Sequence, residues 1–130
     1  MILLDTHIIV YDVLEPKRLS RRARALIEEG SESGALACSD ISLWEIAILI
    51  ARGRISIEAD ALQFLDDAVQ ARSLKVLPIS PRVAVVAQSD AFGHGDPADR
   101  IIAATALVHR ARLVSADARQ RGLEGVRVVW

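Results

Sequence analysis

The 130-residue sequence is poor in several features, and each shortage excludes a class of protein. It has one cysteine, Cys38, which rules out an internal disulfide and a cysteine-based zinc cluster and agrees with a reducing compartment. No stretch approaches the roughly 18 apolar residues that a membrane span needs. Asp5 places a charge too early for a signal peptide. We therefore expect a soluble, cytoplasmic protein with no membrane partner.

The sequence also lacks a large excess of either charge and has few aromatic side chains. The formal net charge is −1, from 16 basic and 17 acidic residues, which excludes a uniformly basic nucleic-acid wrapper and leaves a local basic patch open. Aromatic residues make up 4% of the chain, too few for base-stacking platforms. Hydrophobic residues make up 52%, in a length typical of one domain. The composition therefore predicts a single globular domain over residues 1–130.

Short apolar runs alternate with longer segments of helical periodicity. The short runs predict strands at 2–4, 35–39, 74–79 and 112–115, and a fifth at a sheet edge at 126–130. The longer segments predict helices at 7–14, 21–29, 43–51, 57–72, 81–92 and 98–111. Alternating strands and helices are typical of βαβ units, and continuous apolar strands are typical of sheets covered on both faces. The predicted fold class is α/β, with a mostly parallel sheet of four or five strands.

Acidic residues fall at the ends of predicted strands or at the starts of predicted helices. They are Asp5, Glu45, Asp96, Asp99 and Asp117. Strand ends and helix starts converge at the carboxyl edge of a parallel sheet, where ligands bind. The sequence therefore predicts that these carboxylates share one cleft.

Each of these acids also has a structural explanation. Ser42-Leu-Trp-Glu45 has the spacing of a capping box, with Ser42 as the N-cap. Asp96-Pro-Ala-Asp99 has the spacing of a capped helix with proline at its first position. Asp5 and Asp117 are both placed as N-caps of the segments that follow them. Capping alone therefore explains any one of the acids.

Two features favour a functional role for the group. Glu45 lies on a helix that is apolar almost all round, where an unpaired carboxylate is costly, and Asp5 ends a strand that should be central. Carboxylates crowded in one cleft repel one another, and a divalent cation removes that repulsion. Oxygen ligands without cysteine favour Mg²⁺ or Mn²⁺ over zinc. Such a cation polarises a phosphate oxygen and activates an attacking water, as phosphoryl transfer requires.

The sequence resembles the PIN-domain ribonucleases, in particular the VapC-like toxins of toxin–antitoxin pairs. The resemblance spans essentially the whole chain and rests on four blocks in this order. They are Leu3-Leu-Asp5-Thr-His7, Ile41-Ser-Leu-Trp-Glu45-Ile-Ala47, His94-Gly-Asp-Pro-Ala-Asp-Arg-Ile-Ile-Ala-Ala-Thr-Ala106 and Leu113-Val-Ser-Ala-Asp117, the last followed by Gly122 and Val126-Arg-Val-Val-Trp130. Ser115 stands where the family commonly has Thr, and the serine keeps the hydroxyl group. Ala98 stands where a bulkier residue is common.

The resemblance implies a three-layer α/β/α sandwich and a metal-dependent endoribonuclease that is the toxin of its pair. Carried over by position, the family's acidic residues are Asp5, Glu45, Asp99 and Asp117. They are expected to hold one or two Mg²⁺ or Mn²⁺ ions, directly or through water, while metal-activated water attacks an RNA phosphodiester. The resemblance also implies a VapB-like antitoxin and a homodimer.

Four residues are candidates for supporting roles: Thr6, Asp96, Ser115 and Arg100. Thr6 is placed to hydrogen-bond a metal-bound water or a phosphate, or to cap a helix. Capping is favoured for Asp96, and pairing with a neighbouring carboxylate is favoured for Arg100 over binding to substrate phosphate. We expect a packing role for His7 and a solvated His94. A basic region near the cleft is expected from Arg110, Arg112, Arg119, Arg121 and Arg127.

Two other functions remain open from the sequence. A phospho-receiver domain has a similar length, a parallel sheet and an acidic Mg²⁺ pocket, but it needs an aspartate at the end of a central third strand and a lysine near the end of the fifth. The runs 74–79 and 126–130 have neither at those places. The other alternative is a PIN fold kept only for binding, against which the presence of all four acids argues.

Overall fold

Serine and aspartate residues determine where the helices begin. The computed structural model describes residues 1–93 and 95–130. The described α-helices are α1 (Thr6–Leu14), α2 (Arg21–Ser33), α3 (Asp40–Ala51), α4 (Ala61–Ala71), α5 (Pro81–Val86), α6 (Pro97–Val108) and α7 (Ala118–Arg121). Each follows a residue whose side chain accepts a backbone N–H of the first turn, and these residues are Asp5, Ser20, Ser39, Asp60, Ser80, Asp96 and Asp117. Two 3-10 turns, Pro16–Arg18 and Asp90–Phe92, lie between helices.

The five strands form one parallel sheet. They are β1 (Ile2–Leu4), β2 (Leu36–Ser39), β3 (Lys75–Leu77), β4 (Arg112–Val114) and β5 (Arg127–Val129), in the spatial order β3-β2-β1-β4-β5. In register, Leu3 pairs with Ala37 on one side and with Leu113 on the other. The predicted α/β class is therefore confirmed, with β1 central and β5 at an edge. The third strand lies at the other edge, which is not the central position that a phospho-receiver domain requires.

Alternate strand residues face opposite layers of helices. Ile2 and Leu4 belong to the core shared with α1, α2 and α4, whereas Leu3 belongs to the core shared with α5 and α6. All three side chains are at most 2% exposed. On the first face, a Cβ added to Gly30 of α2 would lie 2.6 Å from a methyl carbon of Leu36, so the helix approaches the sheet as closely as a glycine allows. The three-layer α/β/α sandwich is thus confirmed.

Several predicted element boundaries were wrong, two of them because another residue caps the helix. The helix predicted at 43–51 begins at Asp40, since the N-cap is Ser39 and not Ser42. The helix predicted at 57–72 spans Ala61–Ala71, since Asp60 caps it. The helix predicted at 81–92 ends at Val86 and is followed by the separate 3-10 turn. Among the described helices, none has the length and apolar character to cross a membrane.

Candidate active site

Asp5 lies at the middle of the carboxyl edge of the sheet, directly after the central strand. Its side chain is buried, and Oδ1 accepts the backbone N–H of Thr6 at 2.8 Å, so it caps α1 as one interpretation predicted. The other oxygen, Oδ2, accepts the hydroxyl of Ser115 at 2.7 Å. Each carboxylate oxygen of Asp5 accepts one of these hydrogen bonds and keeps a second lone pair. The cap and a role in the cleft are therefore compatible.

The loop after β4 is tied to the start of α1 by two side chains. The hydroxyl oxygen of Ser115 accepts the backbone N–H of Asp117 at 3.1 Å, and Nε2 of His7 accepts the backbone N–H of Ala116 at 2.9 Å. Nδ1 of His7 lies 3.8 Å from Oδ2 of Asp5. His7 therefore does more than the packing expected of it. The signal available in the sequence was its position two residues after Asp5, in the first turn of a helix.

Glu45 reaches the same edge from the second turn of α3. The hydroxyl of Thr6 donates to Oε1 of Glu45 at 2.5 Å and also lies 2.9 Å from the hydroxyl oxygen of the buried Ser42. Because α3 begins at Asp40, Glu45 is the sixth residue of the helix and cannot complete a capping box. The capping interpretation of the Ser42-Leu-Trp-Glu45 segment was therefore wrong, and these side chains contact Thr6 instead.

The carboxylates of the edge are close enough to perturb one another. Burial raises the pKa of Glu45, and the charges of Asp5 and Asp96 add to that rise, while the Thr6 hydrogen bond opposes it. Burial also raises the pKa of Asp99 to about 6, with further contributions from Asp5, Asp96 and Glu45. The structure therefore brings together acids that come from three separate parts of the chain.

Asp96 and Arg100 have structural roles at the start of α6. Oδ1 of Asp96 accepts the backbone N–H of Ala98 at 2.8 Å, as the capping interpretation predicted. The guanidinium of Arg100 donates to the backbone carbonyls of Ala87 at 2.8 Å and Gly93 at 3.2 Å. The carboxylate partner favoured for Arg100 is not among its contacts in residues 1–93 and 95–130. Arg100 instead ties the end of α5 and the following 3-10 turn to α6.

Asp117 is engaged by an arginine that the sequence did not single out. Nη2 of Arg119 lies 2.8 Å from Oδ2 of Asp117, and Nε lies 3.1 Å from Oδ1. The same Nη2 lies 3.4 Å from Oδ2 of Asp99. These contacts hold the pKa of Asp117 below its usual value. The sequence could only place Arg119 in a group of five arginines.

The structure divides that group of arginines between opposite edges of the sheet. Arg119 follows β4 at the carboxyl edge, where the acids lie. Arg112 and Arg127 are the first residues of β4 and β5, at the other edge, and Arg127 donates to the backbone carbonyl of Arg110 at 3.2 Å. The expected single basic region near the cleft was therefore wrong. His94, expected to be solvated, lies outside the described residues.

The residues of the site suit a hard divalent cation in their chemistry. Asp5, Glu45 and Asp99 offer carboxylate oxygens that repel one another across a partly buried edge, which is the situation that a bound cation relieves. In the described ranges, no three Asp, Glu, His or Cys side chains stand ready-made around one metal position. The carboxylate oxygens fit Mg²⁺ or Mn²⁺ in their chemistry. Asp117, the fourth of these acids, is engaged by Arg119 in this arrangement.

A groove of about 460 Å³ lies between α3 and α6 and leads to the acids. Its apolar lining includes Trp44, Ile48 and Ile101, and its polar lining includes Glu45 and Asp96. The Trp44 side chain is 62% exposed, which is unusual for so large an apolar group. The groove therefore offers an apolar surface next to a cluster of negative charge.

Comparison with known proteins yields one family and several similar folds. The family model of the PIN domain matches residues 2–126. Ribonuclease VapC22 of Mycobacterium tuberculosis is 40% identical over 122 residues, covering 92% of this chain and 89% of that protein. VapBC2 from Rickettsia felis, bound to a DNA fragment from its promoter, superposes with a TM-score of 0.72 at 19% identity, over 99% of this chain and 98% of that one. A toxin–antitoxin complex from Klebsiella pneumoniae superposes with a TM-score of 0.64 at 23% identity, over 100% and 97%.

Proposed function

Because this chain belongs to the PIN-domain family, we propose that it acts as one PIN domain over residues 1–130, a metal-dependent endoribonuclease and the toxin of a toxin–antitoxin pair. The observation that carries the proposal is the grouping of Asp5, Glu45 and Asp99 at one partly buried edge, where burial, and after it the charges of Asp5, Asp96 and Glu45, raises the pKa of Asp99 to about 6. A protein that held these acids only as helix caps would have no need to place them within range of one another. The 40% identity to a ribonuclease supports the choice of substrate.

The proposed metal ligands are Asp5, Glu45, Asp99 and Asp117, with Mg²⁺ or Mn²⁺ as the cation. When bound, the cation supplies Lewis-acid polarisation of a phosphate oxygen and lowers the pKa of a bound water. The reaction is hydrolysis of an RNA phosphodiester. Water adds its oxygen to phosphorus, the bond from phosphorus to the 3′ oxygen breaks, and that oxygen takes a proton. The products are a 5′-phosphate and a 3′-hydroxyl.

The chain's own residues fix the orientation of these acids. Ser115 donates to Oδ2 of Asp5, and Thr6 donates to Oε1 of Glu45, so each carboxylate keeps one rotamer before a ligand arrives. The Thr6 hydrogen bond also lowers the pKa of Glu45 and so favours its ionised form, which is the form a cation needs. Asp96 caps α6 and adds negative charge to the site without being assigned as a ligand. We assign Thr6 and Ser115 to orientation rather than to proton transfer.

The proposed protein partner is a VapB-like antitoxin. The groove between α3 and α6 provides what an inhibitor needs, namely an apolar surface that ends at Glu45 and Asp96. An apolar helix lying in it could extend a cationic side chain into the acidic site. Trp44, at 62% exposure, would be covered by such a partner. The structural similarity to a toxin–antitoxin complex supports this assignment.

We also propose a homodimer and a cytoplasmic location. Three large apolar residues are exposed in this part of the chain: Val76 on the edge strand β3, Ile79 two residues after that strand, and Val85 on α5. A second copy on this side would cover them and leave the α3–α6 groove free. Sedimentation velocity across a concentration series would report the assembly, and a monomer at every concentration would contradict it.

The first experiment is cleavage of total cellular RNA by the purified protein. Wild type is compared in Mg²⁺ or Mn²⁺, in EDTA, and as the Asp5→Asn variant, whose amide oxygen can still accept the Thr6 N–H. Asp66→Asn on the exposed face of α4 is the matched control for loss of a carboxylate. Discrete fragments in wild type and in Asp66→Asn, absent with EDTA and in Asp5→Asn, are the expected result. A folded, metal-binding wild type that leaves RNA intact would favour a PIN fold used for binding, and cleavage that survives EDTA would overturn the metal site.

A further inference from the structure

We propose that Arg119 is a built-in competitor of the catalytic cation: it occupies Asp99 and Asp117 in the metal-free protein, and it has to leave them when the cation binds. The inference rests on the metal site proposed above. It assigns to Arg119, a residue without a place in that proposed reaction, the role of setting how tightly the site takes up its metal.

The first observation is that Arg119 engages both oxygens of Asp117. Nη2 donates to Oδ2 at 2.8 Å, and Nε lies 3.1 Å from Oδ1. The backbone N–H of Arg119 also donates to Oδ1 at 2.9 Å. A guanidinium that donates to both oxygens of a carboxylate has the bidentate geometry of the stronger arginine–carboxylate pairs. Because Nε also lies 3.2 Å from Oδ2, each oxygen of Asp117 has two donors from Arg119, and a cation at either oxygen would have to displace the guanidinium.

The second observation is that the same guanidinium reaches a second acid of the site. Nη2 lies 3.4 Å from Oδ2 of Asp99, which is on α6 and 20 residues away in the sequence. The cation of Arg119 therefore stands between two carboxylates that come from different elements. It partly offsets the rise in the pKa of Asp99 that burial and the neighbouring carboxylates cause. This is the electrostatic role that a bound divalent cation would otherwise take.

The third observation is that the pair is exposed and therefore exchangeable. The Arg119 side chain is 75% exposed, whereas that of Arg72, which also bridges two acids, is 24% exposed. Exposed ion pairs are weak because water and salt screen them. A divalent cation carries twice the charge, so it can displace the guanidinium while the arginine returns to solvent. The competition should weaken the apparent metal affinity by about two- to fivefold, the upper part of the range expected for an exposed ion pair.

The test measures the binding of Mn²⁺ by isothermal titration calorimetry to wild type, Arg119→Gln and Arg121→Gln. Arg121 is an exposed arginine on the same short helix, so its variant removes the same charge without removing a contact to Asp99 or Asp117. Arg119→Gln should bind Mn²⁺ about two- to fivefold more tightly than Arg121→Gln. A thermal melt of each variant checks that the fold is unchanged.

A second readout follows the arginine itself. The Nε–H signal of Arg119 is assigned in wild type by its loss in Arg119→Gln and is followed while Mg²⁺, which is diamagnetic, is added. The inference predicts that this signal shifts in step with metal binding and gains faster solvent exchange. A signal that stays in place while Mg²⁺ saturates the protein would overturn it.

The outcomes separate this inference from the proposed function. Equal Mn²⁺ affinity in Arg119→Gln and Arg121→Gln, or weaker affinity in Arg119→Gln, overturns the competition and leaves the metal site intact. Absence of Mn²⁺ binding in all three proteins overturns the metal site and the competition together. Binding that appears in Arg119→Gln alone supports the competition in its strongest form.

Discussion

The hydroxyl of Ser115 donates to Oδ2 of Asp5 over 2.7 Å, although 110 positions separate the two residues in the sequence. The contact follows from the sheet, because Leu4 of β1 is in register with Val114 of β4, and each of the two polar residues comes directly after one of these strands. Both side chains are buried, so neither has water as an alternative partner. The pair therefore fixes one carboxylate of the proposed metal site before any ligand is present.

Ser115→Ala should lower both stability and metal affinity. It leaves Oδ2 of the buried Asp5 without its donor and removes the acceptor of the Asp117 N–H. A buried polar atom without a partner costs about 1–3 kcal/mol, so the free energy of unfolding should fall by that amount. The check is urea denaturation at about pH 7.5, followed by Mn²⁺ titration of the folded variant.

The matched variant for that prediction is Ser115→Thr, which keeps the hydroxyl at the same place. It should retain the Asp5 contact and metal affinity, with a stability loss only from fitting a methyl group at a fully buried position. If Ser115→Ala binds Mn²⁺ as tightly as Ser115→Thr, the hydrogen bond does not orient Asp5 for the cation.

Glu45→Gln should abolish cleavage and leave the fold nearly intact. The amide oxygen can still accept the Thr6 hydroxyl, so the contact between α1 and α3 survives while the negative charge is lost. Loss of a residue that only orients a metal ligand lowers metal affinity or activity by about 10–100-fold, and loss of a ligand itself is expected to lower them further. Initial rates of RNA cleavage and a circular dichroism melt measure the two effects.

Glu58→Gln is the control for that variant, since Glu58 is exposed in the segment between α3 and α4. It should cleave RNA at the wild-type rate. An active Glu45→Gln protein would remove Glu45 from the ligand set, and an unfolded one would show that its role is structural.

Asp99→Asn should stabilise the metal-free protein at neutral pH. The folded protein raises the pKa of Asp99 from 3.8 to about 6, so it binds a proton more readily than the unfolded chain does between these values. Above about pH 6 the folded protein holds an ionised carboxylate against burial and the repulsion of neighbouring acids, and as the pH falls through 6 that penalty is relieved. The advantage of the asparagine variant should be on the order of 1 kcal/mol at about pH 7.5, because solvent screens a partly exposed carboxyl.

The way the stability gain of Asp99→Asn changes with pH distinguishes the loss of a charge from a general gain in packing. The extra stability of Asp99→Asn should shrink as the pH falls below about 6 and vanish below about pH 4, where the carboxyl is protonated in both states. Chemical denaturation in EDTA across this range measures it, with Asp66→Asn as the variant that should show no such trend. A gain that is constant with pH would mean that the cost of holding Asp99 ionised is not its cause.

Arg72→Gln should destabilise the fold without affecting catalysis. Arg72 follows α4 and donates to both oxygens of Asp12 on α1, at 2.8 and 2.9 Å, and to Glu28 on α2 at 3.0 Å. The Asp12 side chain is 9% exposed, so the variant leaves a largely buried carboxylate without its partner. The expected loss is about 1–3 kcal/mol in the free energy of unfolding. Arg82→Gln, at an exposed position of α5, is the matched control and should leave the free energy of unfolding nearly unchanged. A lower cleavage rate in folded Arg72→Gln would show coupling between this ion pair and the site.

Much of the fold was predictable because it depends on local patterns. The apolar runs located all five strands, and the continuous apolar character of β1 predicted its central place. The N-caps Asp96 and Ser20 were also predictable, because a cap acts within three residues of itself. The start of α3 was not, since Ser39 and Ser42 offer equivalent local signals, and the buried contact between Ser42 and Thr6 comes from a segment 36 residues away.

The sequence by itself determined which acids the protein carries and at which edge of the sheet they would meet. In a parallel sheet, the strands end at one edge, and the helices that follow them start at that same edge. The tertiary structure alone decided how these acids are engaged. Arg119 pairs with Asp117 and Asp99, Arg100 binds backbone carbonyls instead of a carboxylate, and His7 accepts the Ala116 N–H. These contacts depend on the distances and directions between side chains from separate elements. The pairing of the strands and the packing of the helices set those distances and directions.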